Sequence, residues 1–276
     1  MTPIEARQKD LTDRAMLVRL SIRWWKGHSK DRKDAGWFNK ALIAKEALKE
    51  VQQADTAARE FHYNATMPWT DDGYRLLPVT MFYNYCMNIQ QYRQRFETAV
   101  DRFATNFDGV VEEARLRLNG LFDPADYPVN ISSRFSFSPE IAAIPSRDDF
   151  RVTLRSSETA EIQNQITDRV QQSLLTAHRD LYRRLLRAVA RMAEQLGGEG
   201  SRWHHTLVDN LRDLVELLPA LNIQEDRQLE HLRRQVEEKL CRFDSDTLKT
   251  NDTARQQTAE NATEILKILE GMYGSK

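Results

Sequence analysis

Apolar residues recur every three or four positions from Ser156 to Gly198: Ile162, Ile166, Val170, Leu174, Ala177, Leu181, Leu185, Ala188, Met192 and Leu196. That spacing predicts one helix of about forty residues, roughly 60 Å long, with a single buried face. Ser156 or Ser157 suits the N-cap, Glu158 and Glu161 suit the positive end of the dipole, and Gly197-Gly198 stops the run. A second long helix is predicted from about Thr80 to Gly120, where Phe82, Tyr85, Ile89, Tyr92, Phe96, Ala99, Phe103, Phe107, Val110, Ala114 and Leu118 keep a nearly heptad spacing. Side chains this large call for a thick core rather than one slim partner.

Elsewhere the period changes. Val18, Leu20, Ile22 and Trp24 alternate with polar residues, which predicts a half-buried strand over Leu17–Trp25. Thr2-Pro3-Ile4-Glu5 carries the signature of a capped helix start, and 27–36 reads as a charged loop. A helix is expected over about 39–61, then a turn at Pro68-Trp69-Thr70-Asp71-Asp72-Gly73. Pro124, Pro128, Pro139 and Pro145 exclude a continuous helix over 122–155, where the pieces 134–137 and 150–154 could pair as a hairpin. Three shorter helices are expected at 201–218 (closed by Pro219), 225–243 and 253–272. The last sets Thr258, Ala262, Ile265, Leu269 and Met272 at heptad spacing, which reads as an oligomerisation seam. The fold expected is therefore mainly α: an elongated antiparallel bundle of two long helices plus shorter ones, with a small antiparallel sheet of about three strands at one end. Residues 1–198 would form the body and 199–276 a C-terminal helical segment.

The charged fraction of 29% and the scarcity of Gly (10) and Pro (8) fit long, solvent-flanked helices. Net charge is −1, so no global field draws nucleic acid or a membrane. The balance is uneven: residues 1–40 hold ten basic and five acidic side chains, whereas 199–276 hold eleven basic and fifteen acidic. Cys86 and Cys241 are far apart and read as reduced thiols. With no apolar leader at the start and no run long enough to span a bilayer, a cytoplasmic location is expected.

Little in the sequence points to catalysis. Lys26-Gly27-His28-Ser29-Lys30 lacks the glycine spacing of a phosphate loop, and no cofactor is implied. His204-His205 are adjacent and so diverge on a helix; His178 and His231 have no companion at chelating spacing. Asp71-Asp72 and Asp148-Asp149 stand in turn contexts where Asp caps backbone amides. Two basic features stand out. Arg179, Arg183, Arg187 and Arg191 follow one another at i,i+4, with Arg184 beside them. Like charges so placed repel by a few tenths of a kcal/mol per pair. Their counter-charge would be acidic residues of the same fold, such as Asp209, Asp213, Glu216, Glu230, Glu237 or Glu238, or else phosphate or an acidic face of another subunit. The second feature is Arg23-Trp24-Trp25-Lys26 followed by Lys30, Arg32, Lys33 and Trp37, cations interleaved with aromatics as single-stranded nucleic acid requires. Trp24 shares the apolar phase of its strand, which leaves Trp25 as the stacking candidate.

Leu20-Ser21-Ile22-Arg23-Trp24-Trp25, Arg75-Leu76-Leu77-Pro78, Asp126-Tyr127-Pro128, Phe135-Ser136-Phe137 and Asp149-Phe150-Arg151-Val152 together resemble an uncharacterised, mostly helical family of bacteriophages and integrative mobile elements. The resemblance runs from about Met16 to Leu196. It implies genes near MoxR-type AAA ATPases, hence a partner role, and no catalytic residues to carry over. The function expected is a non-enzymatic scaffold or interaction protein that self-associates, binds a protein partner such as an AAA ATPase, or both. The alternative is a nucleic-acid-binding accessory factor for phage recombination or replication.

Overall fold

The computed structural model describes residues 11–33, 36–70, 72–146, 156–198 and 206–273, the side chains of 30–39, 156–157 and 273 excepted. The described chain is mostly helical, with a small sheet. In order it forms β1 (Ala15–Arg23), β2 (His28–Lys33), β3 (Gly36–Ala41), α1 (Lys49–Ala65), β4 (Met67–Pro68), β5 (Arg75–Pro78), α2 (Phe82–Thr105), α3 (Phe107–Leu118) and β6 (Ser136–Ala142). Then follow α4 (Ser156–Gly197), α5 (Thr206–Leu221), α6 (Arg227–Leu240), α7 (Ser245–Thr250) and α8 (Asp252–Tyr273). One sheet has the strand order β4-β5-β1-β6, and β2 and β3 make a separate two-stranded ribbon. The expected strand at 150–154 and the N-terminal capped helix lie outside the described residues.

The backbone divides into two compact units, one drawn from residues 1–17, 65–81 and 142–276 and the other from 18–64 and 82–141. The boundary anticipated near Gly198 is not where contacts separate, because α4 packs on α8, α5 and α6. The two long helices fall in different compact units, each with partners of its own.

In the first unit the core is aliphatic. Helix α4 buries Val170, Ala177, Leu181, Leu185, Val189, Met192 and Leu196, close to the predicted stripe. It packs most extensively against α8, whose Thr258, Ala262, Ile265 and Leu269 are all buried within the chain. The heptad seam read as an oligomer contact is therefore an intrachain one, since a helix with this spacing buries its stripe on whatever partner lies closest. Met272 at its end stays exposed. Helix α5 continues through Pro219, expected to close it, to Leu221. A proline in the last turn removes one backbone bond without ending the helix.

The second unit is aromatic. Tyr85, Ile89, Phe96, Ala99, Phe103, Phe107, Val110 and Ala114 are buried, as the stripe predicts. Phe61 of α1 stacks on Tyr85 at 5.9 Å between ring centroids, and Phe96 meets Phe137 of β6 at 5.8 Å. The predicted single rod is two helices. Asn106 breaks it with φ −96° and ψ 6°, in the bridge region between helix and strand. Hydrogen bonds from Asn106 N–H to the Arg102 carbonyl (3.3 Å) and from Val110 N–H to the Asn106 carbonyl (3.1 Å) keep the apolar stripe in phase across the break.

Residues 28–33, expected as a charged loop, form β2 and pair antiparallel with β3 from His28↔Ala41 to Lys33↔Gly36. The helix expected from about 39 begins only at Lys49. Gly27 precedes this ribbon at φ +65°, and an added Cβ would lie 2.5 Å from Ile43 Cγ1, so only glycine fits. Its carbonyl accepts from the Leu42 N–H at 2.8 Å.

Candidate functional site

Helix α4 carries the four-arginine row on its open side. Arg179, Arg183, Arg187 and Arg191 are all exposed, while Leu181, Leu185, Val189 and Met192 between them are buried. Four residues apart, the arginines stand one turn above another, about 6 Å per step along the axis. None of the four makes an ion pair or hydrogen bond among the described residues. Arg184, one residue away, behaves differently: its Nε donates to Asp180 Oδ2 at 2.8 Å, and its Nη2 donates to the Thr66 carbonyl.

The acidic residues proposed as internal counter-charges are engaged elsewhere or stand apart. Glu230 accepts from Arg233 and Arg234, Glu237 accepts from Arg233, and Asp209 lies 3.7 Å from Arg212. Asp213, Glu216 and Glu238 are exposed, and none pairs with the row. Charge is thus presented outward along one face of α4.

The second basic feature dissolves in part. Arg23 and Lys26 are exposed, and Lys26 Nζ sits 5.8 Å above the Trp24 ring. Trp25, the stacking candidate, is half-buried against aromatic rings of its own unit: its ring lies 6.4 Å from Phe103, 5.7 Å from Phe107 and 6.4 Å from Tyr127. Trp24 is held by a 3.3 Å bond from its Nε1 to Asp55. The reason is that β1 ends at Arg23, so alternation no longer decides which way the next two side chains point. Lys30, Arg32 and Lys33 belong to β2, and their side chains lie outside the described residues. The feature falls in the second unit and the arginine row in the first.

One cluster was missed by sequence reasoning. Asp226 caps α6, accepting from the N–H groups of Gln228 (2.8 Å) and Leu229 (3.3 Å) through Oδ1. Its Oδ2 accepts from the Tyr182 hydroxyl at 2.6 Å and lies 2.8 Å from His178 Nε2. Burial alone would raise this carboxyl, but the bonds from Tyr182, the two amides and His178 outweigh it and hold the group below its ordinary value. The signal was present: His178 and Tyr182 stand at i,i+4, and an Asp directly precedes an amphipathic run. The cluster is a structural tie between α4 and α6. The cavity beside it, lined by Met67, Leu76, His178, Leu181, Leu221 and Asn222, measures about 10 Å³, room for a water at most.

The remaining reactive groups are quiet. His231 is exposed beside Gln235, and His204-His205 and Asp148-Asp149 lie outside the described residues. Asp72 does what a turn aspartate does, accepting from the Thr70 hydroxyl and the Tyr74 N–H. Burial raises the Cys86 thiol and pushes Cys241 up to about 11. Among the described residues no group of three or more His, Cys, Asp or Glu could hold a metal ion, and no helix is long and apolar enough to cross a membrane.

Neither a scan against protein-family models nor searches of curated proteins and of solved structures returns a match for this chain.

Proposed function

We propose that this protein is a non-enzymatic helical interaction protein that works by association, holding an acidic protein surface, its own or a partner's, against α4. The observation that carries this reading is the exposed row Arg179, Arg183, Arg187 and Arg191, which no described acid of the fold neutralises. Keeping like charges at i,i+4 costs a few tenths of a kcal/mol per pair. That cost has a use when an external anion answers it, and guanidinium forks are well shaped for carboxylates. The phage or mobile-element setting and a MoxR-type AAA ATPase as partner rest on the family resemblance alone.

The test is capture from nuclease-treated lysate of the native cells, comparing wild type with a variant carrying Gln at all four arginine positions. Wild type is expected to retain an acidic protein that the variant loses, or to self-associate where the variant does not. A wild-type protein that stays monomeric at micromolar concentration and retains nothing overturns the reading. Retention that disappears on nuclease treatment would instead favour the nucleic-acid alternative, in which the same guanidiniums take phosphates.

A further inference from the structure

The outward side of α4 carries more than charge. Leu175 is 45% exposed, and Leu186, Ala190 and Ala193 are only half-buried. At about 100° per residue, Leu186 and Ala193 fall within about 20° of Leu175 round the helix axis. These three make a nearly straight, shallow apolar strip about 27 Å from end to end. The arginine row starts beside the strip and winds away from it by about 40° per step. Arg179 stands about 40° from the strip, Arg183 about 80° and Arg187 about 120°, whereas Arg191, at about 160°, faces nearly the opposite way. Ala190 projects between Arg179 and Arg183, about 60° from the strip, so only a methyl group stands there between the apolar line and the cations.

A surface that is apolar along one line and cationic along its edge is the counterpart of an amphipathic helix with an acidic edge. Resting on the association reading above, we propose that α4 docks an acidic amphipathic helix of a partner protein. Its apolar stripe would lie on Leu175, Leu186 and Ala193, and its flanking carboxylates would meet Arg179, Arg183 and Arg187. A helix suits this surface because its own apolar positions recur every three or four residues and its ridges fit the groove between two ridges of α4. The small Ala190 and Ala193 let the two backbones come close. Apolar anchors then supply affinity, while guanidinium–carboxylate forks fix the register. Nucleic acid would answer the arginines but not the strip, since stacking on bases calls for aromatic faces and this line is aliphatic.

The test is fluorescence anisotropy of a labelled synthetic peptide titrated with the full, nuclease-treated chain at about 50 mM salt. The probe is a helix of about eighteen residues with Leu along one stripe and Glu along its edge. Two control probes replace every Glu, or every Leu, by Gln. The wild type is expected to bind the probe, and to bind each control at least about tenfold more weakly, a comparison that needs no variant. Leu175→Gln and Arg183→Gln, with unchanged far-UV circular dichroism, should each weaken binding about fivefold, and Arg191→Gln less than about twofold. No binding of the probe at about 100 μM chain, or equal losses at Arg183 and Arg191, overturns the docking. Full binding of the leucine-free probe also overturns it and leaves the association reading standing, whereas full binding of the glutamate-free probe removes both.

Discussion

Helices α4 and α6 use arginine in opposite ways. On α6 the spacing is Glu230-Arg233-Arg234-Glu237, and both of these guanidiniums find a carboxylate one turn away: Arg233 reaches Glu230 at 2.9 Å and Glu237 at 2.7 Å, and Arg234 reaches Glu230 at 2.9 Å. On α4 the residue one turn away from Arg183 is Arg179 in one direction and Arg187 in the other. The same side chain is therefore paired within one helix and, along the row, without a partner among the described residues on the other. What differs is sequence spacing alone, and it separates a cation that serves its own helix from one left open to solvent or, on the reading proposed above, to a partner.

The Asp226 tie, which joins the two helices being compared, offers the largest way to disturb them. Asp226→Ala removes the α6 cap and strips the buried Tyr182 hydroxyl and His178 of their acceptor, and should cost about 2–3 kcal/mol in a urea titration. The same group sets an acid dependence. Its folded pKa is depressed, so its contribution is complete above the unfolded value of about 3.9 and fades as pH falls through the folded value. Unfolding midpoints measured from pH 6 down to about pH 2 should accordingly fall more steeply in wild type than in Asp226→Asn.

Smaller effects should sharpen the contrast. Arg233→Ala, on α6, removes two ion pairs from a mostly covered side chain and should lower stability by about 0.5–1 kcal/mol. Arg183→Glu, on α4, should do the reverse. It converts two like-charge neighbours into attractive ones and should raise stability in a urea titration by a few tenths of a kcal/mol, while weakening capture of an acidic protein from nuclease-treated lysate. If Arg183→Glu destabilises as Arg233→Ala does, Arg183 has an internal counter-charge and the contrast between the helices collapses.

Much of this was legible from residue order. Helix α4 was readable to its ends because an acidic first turn, a continuous stripe and a terminal Gly agree, and the aromatic stripe of α2 and α3 was readable because 3,4 spacing is independent of tertiary partner. The kink at Asn106 was not, since it disturbs neither the stripe nor the backbone bonds that flank it. Strand β2 was hidden because His-Ser-Lys-Asp-Arg-Lys carries no apolar alternation, yet it pairs antiparallel with β3. The arginine row was visible as a pattern, but its lack of partners among the described residues was not, because Glu230 and Glu237 could have turned either way until the folded geometry gave them to Arg233 and Arg234. Trp25 misled for a similar reason: the two-residue rhythm was carried past the point where the strand stops.

Strand β1 runs through the division between the units, with Leu17 counted on one side and Val18 on the other, and the chain returns to the first unit at Ala65 and again at Ala142. Neither unit can therefore be excised with a single cut. A ribosome would emit the opening strand of the first unit long before the helices that complete its core. The aromatic unit, complete once β6 emerges, has everything it needs by mid-synthesis. Folding of the nascent chain is thus ordered by when each half receives its last segment, with the aliphatic half waiting for α8.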